Sequence, residues 1–198
     1  MRRRAPDRVA LASALLLLTR WAAGAVQIGA VVPDFGMTTL EGRRFSLAEA
    51  EKTHSGVVIL FLSTICPYSN YYNDLIRDLS REFEKKGVVF VGVNSGKLET
   101  AEEARVHARE HGHAFDIIKD SEGRLADLLD ARRTPEVFLL DSSGTLRYHG
   151  RIASKISAPD LKNALDALLD GPSVPPRPRP SAARSRGASP LNRKSAKK

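Results

Sequence analysis

The sequence predicts an α/β fold, in which helices pack against both faces of a β-sheet. Two predominantly apolar runs, 57–63 and 88–94, have the length of strands, and a helical pattern follows each. Apolar residues at successive positions are typical of strands that are buried on both faces. Strand and helix signals then alternate from residue 31 to residue 169, which favours the α/β class.

The first elements are extended. Pro33 excludes the preceding residue from the helical region, so 31–35 enters the domain as extended chain. Residues 39–47 predict a short hairpin that turns at Glu41 and Gly42.

Helices and strands follow in order. After the first buried strand, one amphipathic helix is expected to continue to about Lys86, where Gly87 ends it. Thr100, with Glu103 three residues later, predicts a capped helix start. The elements expected after the second buried strand are a helix over 100–111, a strand over 115–118, a helix over 121–129, strands over 134–141 and 146–151, and a helix over 159–169.

Residues 1–25 have the pattern of a secretory signal peptide. A basic segment, Arg2–Arg8, precedes the apolar run Val9–Leu18, and an A-x-A cleavage site ends at Ala25. The sequence therefore predicts export to a periplasmic or extracellular location, with a mature chain beginning at Val26. The alternative is an uncleaved N-terminal membrane anchor, although the apolar run is shorter than the roughly 20 residues that span a bilayer.

The positive charge lies at the two ends of the chain. The formal net charge is +8, of which residues 1–25 carry +4 and residues 171–198 carry +8, so 26–170 carries −4. This acidic body gives no support to a nucleic-acid partner. Residues 171–198 hold six prolines, five serines and eight basic residues, which predicts a disordered tail with at most weak contact to an anionic surface.

The one cysteine of the chain, Cys66, is the candidate reactive group. It stands between the first buried strand and the following helix, where unpaired backbone N–H groups favour the thiolate. A disulfide to Cys66 requires a thiol from another molecule, because the chain has no second cysteine. A buried, inert thiol is the alternative interpretation.

Seven short motifs in this order and spacing make the chain similar to the thioredoxin-like superfamily, and within it to the peroxiredoxin-like redoxins of the AhpC/TSA type. They are Pro33–Phe35, the hairpin, Cys66–Tyr68, Gly92–Ser95, Thr134–Phe138, Asp141 with Gly144, and Tyr148–Ile152. The resemblance implies a thioredoxin-like fold over residues 26–170, with a central mixed β-sheet flanked by helices and an N-terminal hairpin extension.

The resemblance also implies roles for individual residues. Cys66 falls on the attacking cysteine, and Ser69 stands where a second cysteine is usual, so its hydroxyl is expected to hydrogen-bond the Cys66 thiolate. Substrate is expected to bind against Pro67, Tyr68, Thr134 and Pro135, with a cis bond between the last two. The buried acid that thioredoxins carry six residues before this cysteine is replaced by Leu60.

Three functions stay open at this stage. The first is an exported oxidoreductase that uses Cys66 with an external thiol reductant, a disulfide-bearing protein or a small thiol. The second is a one-cysteine peroxidase, in which Arg132 or Arg133 contacts the peroxide. The third is a non-catalytic binding module. No cofactor is expected, and His107, His111 and His113 are interpreted as ordinary histidines near a helix C-terminus rather than as metal ligands. The sequence does not determine the oligomeric state.

Overall fold

The computed structural model describes residues 26–154 and 160–171. The predicted signal peptide lies outside these residues, as does the predicted tail apart from Gly171. The elements are β1 Gly36–Thr38, β2 Arg44–Ser46, α1 Leu47–Thr53, β3 Gly56–Phe61, α2 Pro67–Tyr71, α3 Asn73–Glu84, β4 Val88–Asn94, α4 Ala101–Glu110, β5 Asp116–Lys119, α5 Arg124–Leu129, β6 Glu136–Asp141, β7 Leu146–Gly150 and α6 Asp160–Asp170.

A mixed sheet of five strands forms the centre of the molecule, in the order β5-β4-β3-β6-β7. Strands β3, β4 and β5 run parallel, whereas β6 is antiparallel to β3 and β7 is antiparallel to β6. The predicted α/β class and the mixed central sheet are confirmed.

Each face of the sheet carries its own apolar core. Val58 and Leu60 of β3 pack on one face with residues of α3 and α6. Val57 and Ile59 point to the other face and pack with residues of α1 and α5. Because side chains alternate along a strand, a strand covered on both faces needs apolar residues at every position, which explains the continuous run in the sequence.

The hairpin expected before the first buried strand is present, and a helix directly follows it. β1 and β2 pair antiparallel, and Gly42 in the turn has a left-handed φ of 77°. The expectation that extended chain continues to Leu47 was wrong, because α1 begins there. Ser46 caps this helix, its hydroxyl accepting a hydrogen bond from the Glu49 backbone N–H at 3.4 Å.

The single helix expected after Cys66 is divided in two at Tyr72. Tyr72 has φ −101° and ψ 5°, outside the helical region, and separates α2 from α3. Its ring packs against the core of the α3 face, and its hydroxyl donates to the carbonyl oxygen of Ala153 at 3.0 Å. The capping box predicted at Thr100 and Glu103 is confirmed at the start of α4.

The parallel strands determine where in the molecule Cys66 lies. The carboxyl ends of β3, β4 and β5 meet at one edge of the sheet, and the chain leaves β3 there toward Cys66. Within 26–154 and 160–171, none of the helices has the length and hydropathy needed to cross a membrane.

Candidate active site

Cys66 lies at the start of α2, where β3 has just ended. It is the N-cap residue of this short helix and Pro67 is the first helical residue, a position that proline favours because its missing N–H is not needed there. The Asn70 backbone N–H donates to the Cys66 carbonyl at 3.0 Å, closing the first turn. The thiol is partly exposed, so a reactant can reach it.

The surroundings of the sulfur favour its ionised form. Burial raises the pKa of the Cys66 thiol, but hydrogen bonds from the Thr134 side chain and from the backbone N–H groups of Ser69 and Tyr68 outweigh it. The resulting pKa lies below the ordinary cysteine value, even though the negative charge of Glu99 raises it. The protonated thiol donates to the Thr134 carbonyl oxygen at 3.3 Å.

The Thr134 carbonyl lies against the Cys66 sulfur, and the bond between Thr134 and Pro135 is cis, as expected. The next residue, Glu136, is 3% exposed. Its carboxylate accepts hydrogen bonds from the Arg132 and Arg133 backbone N–H groups at 2.7 and 3.1 Å. Glu136 therefore fixes the segment that presents Thr134 to the sulfur.

The role expected for the Ser69 hydroxyl was wrong. Ser69 is fully buried, and its hydroxyl oxygen accepts a hydrogen bond from the Ser63 backbone N–H at 3.2 Å. The Ser69 group that acts on the sulfur is its backbone N–H. Ser69 thus supports the loop before Cys66 through its side chain and the thiolate through its main chain.

The structure does not bring Arg132 or Arg133 to the sulfur. The Arg132 guanidinium pairs with Asp130, and the side chain is 75% exposed. The Arg133 guanidinium lies 3.9 Å from Glu136, and this side chain is 79% exposed. Neither arginine is among the groups that shift the Cys66 pKa, so the peroxide contact expected of them is not supported.

Exposed apolar side chains lie close to Cys66 in the sequence or next to a residue that contacts its loop. Tyr68, expected at the substrate surface, is 75% exposed, and Ile65 and Tyr71 on the same short segment are 67% and 63% exposed. Leu98, 89% exposed, precedes a residue that contacts the Cys66 loop. We call these four residues the apolar rim.

Glu99 is a residue of this site that sequence reasoning missed. Its carboxylate is buried and accepts hydrogen bonds from Ser63 and Thr64, which stand three and two residues before Cys66 and 36 and 35 positions before Glu99. Leu60, at the position of the buried acid of thioredoxins, is a fully buried core residue. The only sequence signal for Glu99 is an acid shortly after the end of a buried strand.

The three histidines lie together behind α2. The His107 and His111 ring centroids are 4.4 Å apart, and His113 is about 6 Å from each. His107 Nε2 lies 2.7 Å from the Asn70 side-chain oxygen, which links α4 to the first turn of α2. Among the described residues, no three acidic, histidine or cysteine side chains are arranged to hold a metal ion.

Two known proteins are similar to this chain in sequence. Thiol-disulfide oxidoreductase ResA from Geobacillus thermodenitrificans is 26% identical over 144 residues, 73% of this chain and 79% of the relative. Thioredoxin-like protein YneN from Bacillus subtilis is 29% identical over 123 residues, 62% of this chain and 70% of the relative.

Solved structures agree on the fold. A putative thiol:disulfide interchange protein DsbE from Chlorobium tepidum superposes with a TM-score of 0.65 at 20% identity, covering 73% of this chain and 99% of that one. The fold is thioredoxin-like, as the motifs implied. The model of the AhpC/TSA family matches residues 28–149, more than half of the sequence, and the chain therefore belongs to the AhpC/TSA family.

Proposed function

We propose that this protein is an exported thiol-disulfide oxidoreductase that works through one nucleophilic cysteine, Cys66. The observation that carries the proposal is the surroundings of the sulfur, where three hydrogen-bond donors lower the thiol pKa at a partly exposed position. A lowered pKa increases the thiolate fraction at neutral pH, and the thiolate is the nucleophile in disulfide exchange. The relatives named as thiol-disulfide oxidoreductases support the same chemistry.

The reaction takes place in two exchanges. The Cys66 thiolate attacks one sulfur of a substrate disulfide, forming a mixed disulfide and releasing the other substrate sulfur as a thiolate. Ser69 cannot resolve this intermediate, because a hydroxyl does not form a disulfide. A thiolate from a second molecule then attacks the substrate sulfur, forming the product disulfide and releasing the Cys66 thiolate.

The apolar rim supports a polypeptide substrate. Four large apolar side chains, Ile65, Tyr68, Tyr71 and Leu98, are at least 63% exposed on or near the segment that carries the thiol. An extended chain with apolar residues beside its cysteine would cover them, whereas a small polar thiol would leave most of them in water. Export, proposed from residues 1–25, would place Cys66 where disulfides persist.

The test compares disulfide exchange with peroxide reduction. Reduced mature protein is mixed with a disulfide-bearing peptide that has apolar residues beside its cysteine, and separately with hydrogen peroxide. We expect mass spectrometry to detect a peptide adduct on Cys66, and we expect its formation to be faster than oxidation by peroxide. The variant Cys66→Ser controls for adducts elsewhere.

Other results would select one of the remaining functions. Faster oxidation by peroxide, with turnover by an external thiol, would establish the one-cysteine peroxidase. An ordinary thiol pKa with no adduct would leave the non-catalytic binding module.

A further inference from the structure

We infer that Glu99 is a positioning residue for Cys66, and that its buried carboxylate holds the loop Ser63–Cys66 in the arrangement from which the thiolate attacks. The inference takes from the proposed function only that Cys66 is the nucleophile. It concerns a residue that does not touch the substrate and acts through the loop.

Three of the four hydrogen bonds to the Glu99 carboxylate come from this loop. The Thr64 backbone N–H and the Thr64 hydroxyl both donate to Oε2, the hydroxyl at 2.6 Å, and the Ser63 hydroxyl donates to Oε1 at 2.9 Å. The fourth donor is the side-chain amide of Asn94, at 2.9 Å. The carboxylate is 4% exposed, so protein groups replace the water that would solvate it. These bonds outweigh burial and lower the pKa of Glu99, which keeps it ionised.

The neighbouring strands orient the fourth donor. Asn94 ends β4 and Lys119 ends β5, so both lie at the edge of the sheet where β3 leads into the loop. The Lys119 ammonium donates to the Asn94 side-chain oxygen and to the Gly96 carbonyl. Because its oxygen is occupied, the Asn94 amide turns its N–H group toward Glu99.

Gly96 provides the space that the carboxylate occupies. A Cβ atom at Gly96 would lie 2.0 Å from Glu99 Oε1 and 2.8 Å from its Cδ, closer than real contacts allow. Gly96 is not among the glycines with a left-handed φ, so a side chain at this position would displace the Glu99 carboxylate rather than strain the backbone.

The opposite side of the loop is held from α2. The Asn70 side-chain N–H donates to the Thr64 carbonyl at 2.8 Å, and the Ser63 N–H donates to Ser69 Oγ at 3.2 Å. Glu99 engages the remaining donors of Ser63 and Thr64, so the loop is fixed between α2 and the β4–α4 connection. The sulfur then keeps its distance to Thr134 and to the N–H groups of Tyr68 and Ser69.

Two substitutions separate the shape of Glu99 from its charge. Glu99→Gln keeps the shape, because the amide oxygen can accept from Thr64 and Asn94 while the amide N–H donates to a rotated Ser63 hydroxyl. Glu99→Ala removes all four acceptor contacts. The negative charge raises the Cys66 pKa, so removing the charge alone is expected to lower that pKa.

The experiment measures the thiol pKa and the thiolate reactivity independently. In the full mature protein, the pH dependence of iodoacetamide alkylation gives the pKa, and exchange with the aromatic disulfide DTNB above that pKa gives the thiolate rate constant. We expect Glu99→Ala to lower this rate constant about tenfold or more, because misplaced reacting groups lose rate steeply. Glu99→Gln is expected to keep the thiolate rate constant within about threefold of the wild-type value while lowering the Cys66 pKa. Both variants lose the charge, so a difference in rate between them must come from the contacts that glutamine keeps. Glu102→Gln, at an exposed position on α4, is the matched control.

Gly96→Ala tests the same contact without changing Glu99. It is expected to reproduce the loss seen in Glu99→Ala, and the double variant Gly96→Ala/Glu99→Ala is expected to be no slower than Glu99→Ala alone. A wild-type rate constant in folded Glu99→Ala would overturn the inference. If Glu99→Ala does not fold, a wild-type rate constant in Gly96→Ala would overturn it instead. A Glu99→Gln variant as slow as the alanine variant would do so as well.

Failure of the proposed function gives a different result. An unreactive wild-type Cys66 overturns both proposals, because there is then no thiolate reaction that Glu99 could support. A reactive wild type with unaffected Glu99 and Gly96 variants overturns only the role of Glu99.

Discussion

At the scale of single residues, the reactivity of Cys66 depends on donors that stay in place when the thiol loses its proton. The thiol proton is directed to the Thr134 carbonyl, while the Thr134 side chain and two backbone N–H groups stabilise the thiolate. A hydrogen bond to a charged group is stronger than one to a neutral group, so these donors favour ionisation.

The Thr134 side chain gives a direct prediction. Thr134→Val keeps the branched shape and removes the hydroxyl, so we expect the Cys66 pKa to rise and the thiolate fraction at pH 7 to fall. The pH dependence of iodoacetamide alkylation measures this shift. Thr53→Val, on the exposed end of α1, is the control and is expected to leave the pKa unchanged. A pKa that stays constant or falls in Thr134→Val would show that the backbone donors alone stabilise the thiolate.

The sequence predicted the residues in contact with the sulfur better than the residues that hold the surrounding loop in place. Cys66, Thr134 and Pro135 were placed together by motif resemblance, and the structure brings them together. Glu99 was not predicted, because its contacts cross 35 positions of chain and depend on three strand ends meeting at one edge. The side chain of Ser69 was assigned the wrong partner, since a sequence does not show in which direction a hydroxyl points.

At the scale of elements, the connection between α4 and β5 places His113 where protonation of its ring is unfavourable. Burial, together with the neighbouring His107, His111 and Arg77, lowers the pKa of His113 to about 4, against a backbone hydrogen bond with Asn73 that raises it. Among the described residues, the ring nitrogens of His113 have no hydrogen-bond partner beyond this contact with the Asn73 backbone, and the ring stacks on Phe115 at 5.1 Å. Burial therefore favours the neutral form of this ring.

This histidine is expected to weaken the fold in mild acid. Between about pH 6.5 and 4, the unfolded chain binds a proton at residue 113 that the folded chain does not, so the free energy of unfolding falls as the pH falls. His113→Phe removes this loss and keeps the stacking. We expect the variant to gain about 2 kcal/mol over the wild type between pH 7 and pH 4, a value reduced by solvent screening of the partly exposed ring.

Urea unfolding at a series of pH values measures this difference. Groups that do not interact with His113 keep their contribution in both proteins, so the difference between the curves belongs to His113 and to its charge coupling with His107. Parallel curves for the two proteins would contradict the prediction.

The elements themselves were predictable wherever the local pattern and the packing agree. The buried strands β3 and β4 and the capped start of α4 follow from short stretches of sequence. The start of α1 could have been predicted from Ser46 and Glu49, which form a capping pattern. It was missed because the residues before it were interpreted as an extended hairpin that continued to Leu47. The break between the two helices at Tyr72 could not be predicted from the sequence, because it accompanies a contact of the Tyr72 side chain with Ala153, far along the chain.

At the scale of the whole molecule, charge is separated along the chain. The body over 26–170 carries −4 and the segment 171–198 carries +8, so the two parts have opposite preferences for an anionic surface. Each basic residue near such a surface contributes about 1 kcal/mol to binding, and salt screens this attraction. The contacts of the Cys66 sulfur found in the described residues all come from the body.

We therefore expect the tail to control surface binding without altering the thiol. The mature chain 26–198 should bind vesicles that contain phosphatidylglycerol at least about tenfold more strongly than a chain ending at Gly171, and about 0.5 M salt should remove the difference. Neutral phosphatidylcholine vesicles are the control, and flotation measures the bound fraction. Alkylation of Cys66 should follow the same pH dependence in both chains, because the Thr134, Ser69 and Tyr68 donors that lower its pKa are present in both. Equal vesicle binding by the two chains would show that a feature of the body, rather than the basic tail, contacts the surface.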